Sequence, residues 1–277
     1  MDERESRGAG LGARSDASGS VRRLAPAAGV GILAGFLSGL FGVGGGILIV
    51  PGLVMLLQLR QRLAHGTSLA AIVPIAISGV IGYAIADSVD WAAAGLVTLG
   101  AIWGALFGTR VLHVTRQETL RRIFALFLLL TAARLLADVP EALGRTDITI
   151  SMALALVALG LVSGTLAGLL GVGGGIVIVP GLVLLFSVPD AVAKGTSLLV
   201  IIPTAVAGTL SNIRRANADL PVAAAVGIFG VASALGASQI SVNLDPTVSS
   251  VLFGLLLVAV AARMLLGRSR GGAGGGA

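Results

Sequence analysis

Gly42, Gly44, Gly45 and Gly46 stand in the stretch GLFGVGGGILIVPGLV (residues 39–54), and Gly171, Gly173, Gly174 and Gly175 stand in GLLGVGGGIVIVPGLV (168–183). Glycine is the costliest residue to order, and a run of it weakens a helix. A compensating use is needed at two places. Free N–H groups at a helix start carry partial positive charge, and glycine lets a ligand approach the backbone closely. Successive glycine amides also form a concavity that cradles an anion. With helices starting near Ile47 and Ile176, two such starts converging from opposite halves can hold a small oxyanion without a cationic side chain. The same glycines also suit tight helix crossing. Duplication of the phrase, each copy with a proline five residues beyond its last glycine, favours the binding site. No Lys-Ser or Lys-Thr follows it, so it is not a nucleotide-phosphate loop.

A second repeated phrase is HGTSLAAIVP (65–74) against KGTSLLVIIP (194–203). Gly-Thr-Ser ahead of an apolar run reads as a helix start, so Thr67 or Ser68, and Thr196 or Ser197, either cap that helix or offer hydroxyls to a substrate. Pro74 and Pro203 fall inside the helices and remove backbone bonds, as a kink or gating joint does. His65 and Lys194 occupy equivalent positions; both can attract anions at a mouth, although a solvated loop is the simpler reading. Asn212 is a candidate polar contact at the end of its segment. Arg134 and Arg263 read as snorkelling residues, and Asp90 and Asp219 as acids that complement helix dipoles. No Glu lies within an apolar segment, so no buried proton carrier is expected. With two His, both read as loop residues, no Cys, no H-E-x-x-H and no G-x-S-x-G, neither an enzyme, a metal site nor a cofactor is expected.

The elements that must position these residues are membrane helices. The 277 residues are 56% hydrophobic and 12% charged, and mean hydropathy is +1.00. A soluble domain cannot cover itself with so few charges. Apolar runs near the length of a bilayer span recur, while strict alternation is absent, which leaves helices rather than a barrel. Ten segments are expected at 24–42, 46–57, 66–85, 91–109, 118–137, 148–169, 175–187, 195–211, 221–239 and 247–266. Residues 1–23 read as a disordered cytoplasmic tail rather than a signal peptide, and 267–277 as a second disordered tail. The net charge of +6 belongs to short basic loops, a membrane-orienting pattern, and not to nucleic-acid binding.

The second half repeats the first at a fixed offset: Gly42 maps to Gly171, Pro51 to Pro180, Thr67 to Thr196, Pro74 to Pro203 and Asp90 to Asp219. Over residues 39–56, fifteen of eighteen positions are identical to their counterparts. The expected organisation is an all-α polytopic protein with a repeat at 24–137, a connecting loop at 138–147 and a repeat at 148–266. Five segments per repeat is odd, so full crossing inverts the halves. With both termini cytoplasmic, Arg60, Arg62, the basic residues of 110–122, Arg214, Arg215, Arg268 and Arg270 all face inward, which satisfies the positive-inside bias. Residues 24–57 must cross twice, roughly 60 Å of hydrocarbon, but as continuous helix reach only about 51 Å. Either the glycines run extended or the loop is sunk; both put irregular backbone at depth, where protein or a water-filled cavity must satisfy it.

The doubled phrase GLFGVGGGILIVP with HGTSL, then GLLGVGGGIVIVP with KGTSL, resembles the sulfite exporter TauE/SafE family of membrane permeases. The resemblance runs from about residue 27 to 266. It implies a plasma-membrane transporter of small anions such as sulfite or sulfonates, driven by the proton gradient. Carried onto this chain, it puts the substrate at the two glycine stretches with Thr67, Ser68, Thr196 and Ser197. The expected partners are that small anion and the lipid bilayer, with the oligomeric state left open. An anion channel and a non-transporting membrane scaffold are the alternatives.

Overall fold

The computed structural model describes residues 24–111, 117–137, 149–170 and 173–266. Gly171, His113 and both expected tails lie outside the described residues. Among the described residues the chain forms ten helices: α1 (Leu24–Phe41), then α2 (Gly46–Leu56), α3 (Gln61–Ile85), α4 (Trp91–Val111), α5 (Gln117–Ala137), α6 (Ile150–Leu170), α7 (Gly175–Phe186), α8 (Asp190–Arg214), α9 (Leu220–Val242) and α10 (Pro246–Leu266). Six of them are long and apolar enough to cross a membrane. The protein is an all-helical, polytopic membrane protein.

Helix boundaries fall within a few residues of those expected, with two informative exceptions. α3 and α8 each begin five residues before the expected start, at Gln61 and Asp190. The Gly-Thr-Ser phrases therefore lie inside helices, and Thr67, Ser68, Thr196 and Ser197 do not cap them. Caps do form where acids were expected. Asp219 precedes α9 and accepts from the Val222 amide at 3.2 Å. Asp90 Oδ1 accepts from the amides of Ala92 and Ala93.

Neighbour pairs give the helix directions. α3 and α8 run antiparallel, with Gly79 beside Leu198, Gly208 beside Leu69 and Gly195 beside Tyr83. These two helices hold equivalent places in the two repeats, so the repeats are inverted relative to one another. α9 runs parallel to α1 (Gly31 beside Val226, Gly39 beside Ala234) and to α3, where Ser78 Oγ donates to the Val231 carbonyl and Gln239 Nε2 to the Gly82 carbonyl. α4 runs parallel to α6 in the mirrored arrangement, with Gly160 beside Val97 and Gly164 beside Ala101. Small residues at these crossings let backbones touch, which is how membrane helices gain dispersion energy where lipid offers no hydrophobic drive.

Two apolar cores result. One joins α1, α2, α3 and α9, with α8 along its flank. The other joins α4, α5, α6, α7 and α10, again with α8. α9 of the second repeat thus completes the first core, while α4 of the first repeat belongs to the second.

The short helices α2 and α7 have 11 and 12 residues, about 16–18 Å, too short to span ~30 Å of hydrocarbon. α2 folds back along α1, with Gly45 beside Ala34 and Gly52 beside Val30. The glycines between them are not extended. Gly42, Gly44 and Gly45 take φ values of +69, +78 and +71°, and Gly173 and Gly174 +86 and +79°. The length problem is solved by a tight left-handed reversal that sinks the return helix into the protein.

Candidate functional site

Ile72 is the twelfth residue of α3 and Ile201 the twelfth of α8, each helix 25 residues long. They mark the midpoint of the antiparallel pair, and both are fully buried. The two glycine breaks converge there. A methyl placed on Gly44 would lie 3.0 Å from Ile201 Cδ1 and 3.6 Å from Ile72 Cγ2; one on Gly173 would lie 3.5 Å from Ile201. One on Gly175 would meet the Gly42 carbonyl oxygen at 2.8 Å and Val43 Cα at 2.9 Å. The breaks therefore touch one another across the repeat interface, with the Ile201 side chain against both.

Left-handed glycine before each short helix turns its first amides toward this crossing. Gly45 and Gly174 precede α2 and α7 in the αL conformation, with no side chain capping either helix. Leu48 and Ile49 both donate to the Gly45 carbonyl, and Val177 and Ile178 to that of Gly174. Among the described residues no backbone carbonyl accepts from the amides of Gly44, Gly45, Gly46 or Ile47. That leaves a cluster of N–H dipoles at depth, the arrangement that suits an anion.

The hydroxyls divide into two groups. Ser68 and Ser197 sit one turn before Ile72 and Ile201, on the same faces. Ser197 Oγ donates to the Gly42 carbonyl at 2.9 Å. Among the described residues Ser68 Oγ, fully buried, has no partner, nor has Ser38 Oγ in the last turn of α1. Thr67 and Thr196 face elsewhere: Thr67 Oγ1 accepts from the Asp219 amide and Thr196 Oγ1 from the Asp90 amide, both at 2.9 Å. They fasten each long helix to the entry of a helix from the other repeat. Asn212 lies eleven residues beyond Ile201, about 16 Å along α8, where its Nδ2 donates to its own helix at Gly208. Among the described residues the break glycines and Ser197 come together, with Ser68 one turn from Ile72; the two threonines and Asn212 do not join them.

Lys194 corrects two expectations. It is not a solvated loop residue: it lies in the second turn of α8 with 0% exposure. Nor is the interior free of ionisable groups. Lys194 Nζ pairs with Asp190 Oδ2 at 2.7 Å, donates to Ser241 Oγ at 3.2 Å and to Ser249 Oγ, and stands 5.9 Å over the Phe41 ring. Ser249 Oγ donates to Asp190 Oδ2 at 2.7 Å and Ser241 Oγ to the Leu40 carbonyl at 2.9 Å. All three ammonium protons are thus used, which a buried charge requires. The cluster adjoins the first break, since a methyl on Gly42 would lie 2.6 Å from Lys194 Cα. His65, at the equivalent position, is also helical rather than in a loop, and its buried Nδ1 has no partner among the described residues. The signal for Lys194 was its spacing of four from Asp190, which lets the two charges neutralise each other on one helix face.

Two inverted repeats whose interrupted helices meet at the centre of the bundle describe a transporter architecture, and the sequence relationships decide which. The pattern of the sulfite exporter TauE/SafE family matches residues 4–135 and 156–276. The chain belongs to the sulfite exporter TauE/SafE family. It is 30% identical to the probable membrane transporter protein YunE of Bacillus subtilis over 207 residues, covering 66% of this chain and 76% of that one. A probable membrane transporter protein of Xylella fastidiosa is 27% identical over 248 residues, covering 87% and 95%. MJ0441 of Methanocaldococcus jannaschii, also named a probable membrane transporter protein, is 29% identical over 201 residues, covering 69% and 72%. This TauE/SafE chain is thus a multi-pass protein of a membrane-transporter family, and the family match takes in both glycine breaks.

Proposed function

We propose that the protein is a secondary transporter that moves a small oxyanion, sulfite or an organosulfonate, across the plasma membrane by alternating access and draws on the proton gradient. The observation that carries this reading is the convergence of two left-handed glycine breaks at the midpoint of α3 and α8. There, backbone amides and the unpaired Ser68 hydroxyl offer hydrogen bonds away from bulk water. The buried Ile72 and Ile201 support a carrier rather than a channel, because an open pore along this axis requires them to part.

Charge distribution supports an orientation. Arg60, Arg62, Arg214, Arg215 and Arg263 lie at one end of the bundle, whereas Asp87, Asp90, Asp190 and Asp245 lie at the other. Under the positive-inside bias the basic end is the cytoplasmic one, and this supports the reading in which both termini are inside.

The test is flux in proteoliposomes with sulfite, methanesulfonate, acetate and thiosulfate, each with and without a pH gradient. Flux of a sulfur oxyanion that the gradient accelerates is expected, and Gly44→Leu or Gly173→Leu should abolish it while the protein still inserts. Unchanged flux in both variants would remove the breaks from the substrate path. Flux that never saturates and ignores the gradient would favour a channel.

A further inference from the structure

We propose that Lys194 and Asp190 form a proton-exchangeable ion pair into which the transported anion inserts, so that one proton on Asp190 accompanies one negative charge held by Lys194. The inference rests on the anion-carrier reading above and adds the group that couples the anion to the proton.

The argument starts from burial. Lys194 has no exposed side-chain surface, whereas its partner Asp190 retains 17%. A proton can therefore reach the carboxylate without water reaching the ammonium. An unpartnered buried ammonium is costly by several kcal/mol, so the site resists having Asp190 neutralised while nothing replaces it. An oxyanion supplies the replacement. When Asp190 takes up a proton, its carboxyl loses the charge that held Lys194, and Nζ turns one N–H to the anion. Ser249 and Ser241 go on accepting from Nζ, and the Ser249 proton, given to the carboxylate in the closed pair, turns to the anion. On release the anion departs, the carboxyl gives up its proton, and the 2.7 Å pair re-forms. Charge balances at each stage: the site holds either Asp190 carboxylate or the anion against one ammonium.

Placement supports this role. Lys194 is seven residues from Ile201, two helical turns along the same face of α8, and its backbone packs on Gly42. An anion leaving the amide cluster on the way to the acidic end passes this pair. The groups facing it from the surrounding helices leave Asp190 as the exchangeable acid. From α3, Tyr83 donates its buried hydroxyl to the Gly39 carbonyl. Ahead of α4, Asp90 is engaged with the Ala92 and Ala93 amides, and Asp87 stands exposed in the preceding turn. Ahead of α10, Asp245 is engaged with Thr247 and Val248. α1 presents Phe41 and α9 presents Ser241. At the matching place in the first repeat, Gln61 and His65 stand where Asp190 and Lys194 do, so the pair occurs at one end of the bundle.

The experiment uses full-length protein in liposomes and methanesulfonate, which stays ionised through the working pH range. Wild-type uptake should accelerate when the acidic side is the side of entry and should carry protons with it. Asp190→Asn fixes the neutral partner, so exchange of methanesulfonate should persist while the pH dependence disappears. Either single variant leaves a buried charge unpaired and risks misfolding, so Asp190→Asn is purified with methanesulfonate present to occupy the ammonium. The double variant D190N/K194Q removes both charges, so its thermal unfolding should match wild type while flux falls by about tenfold or more. Asp190→Asn retaining wild-type pH dependence, or a double variant with normal flux, would overturn the coupling. Wild-type flux without any proton movement would overturn it too, and would leave anion transport itself standing. Absence of flux for every sulfur oxyanion would sink the carrier reading and this one together.

Discussion

The two repeats share a backbone and differ in their side chains at the crossing. Ser197 is clamped on the Gly42 carbonyl, while its counterpart Ser68 is buried and unpaired. Lys194 is held by a carboxylate and two hydroxyls, while its counterpart His65 has a buried, unpartnered nitrogen. The breaks differ in tightness too. A methyl on Gly45 would approach the Ala34 carbonyl to 2.8 Å, and one on Gly174 the Ser163 carbonyl to 3.2 Å. Shared features build the crossing that both repeats line. Unshared ones tie down the second repeat's half of it and leave polar atoms of the first half unsatisfied, which is where a ligand gains most by arriving.

The largest test of this contrast is a pair of alanine substitutions. Gly42→Ala combines φ +69° with a methyl 2.6 Å from Lys194 Cα, so it should cost roughly 3 kcal/mol or more in detergent unfolding. Gly173→Ala adds φ strain but only ordinary contact at 3.5 Å, so about 1–2 kcal/mol is expected. Equal losses would mean that the close approach of Gly42 to the Lys194 backbone adds nothing to the cost of a left-handed φ.

Next come the serines. Ser197→Ala removes a buried donor from the Gly42 carbonyl and should lower the unfolding midpoint by the equivalent of about 1 kcal/mol. Ser68→Ala removes an unpaired hydroxyl, so stability should stay level while anion affinity drops. Stability loss in Ser68→Ala matching that in Ser197→Ala would abolish the distinction. Thr67→Val and Thr196→Val probe what the repeats share: each frees one amide, and each should cost about 0.5–1 kcal/mol. A marked difference between the two would break the symmetry where it is expected to hold.

The smallest effect is a pH response. Asp245 is exposed between α9 and α10, and the backbone amides of Thr247 and then Val248 hold its carboxyl below the usual range. Its stabilising contribution is thus complete above the ordinary carboxylate value and is lost as pH falls through the lowered one. Asp245→Asn should flatten the acid limb of an unfolding-versus-pH profile below about pH 4.

Much of this was legible in one dimension. The duplicated glycine phrase located both breaks, because few uses justify glycine in the middle of an apolar run, and the fixed offset paired every equivalent position. The starts of α3 and α8 were not legible. Asp190 with Lys194 on one side, and Arg60, Arg62 and His65 on the other, made the first turns look like loops. A reading by hydropathy counts charges singly, whereas a helix cancels an opposite pair four residues apart. The threonines were misread for another reason: the amides that Thr67 and Thr196 accept from lie 152 and 106 residues away. Local capping was the nearest available use for a hydroxyl beside glycine.

The exchange of α4 and α9 between the two cores has a consequence for synthesis. A ribosome that has delivered the first five helices has not supplied the wall against which α1 and α3 close, nor α6, the helix that α4 crosses backbone to backbone. The nascent first half must wait in lipid with an open flank until residue 242 has been threaded. Expressed from separate messages, either half alone should be cleared by membrane proteases, while the two together should survive.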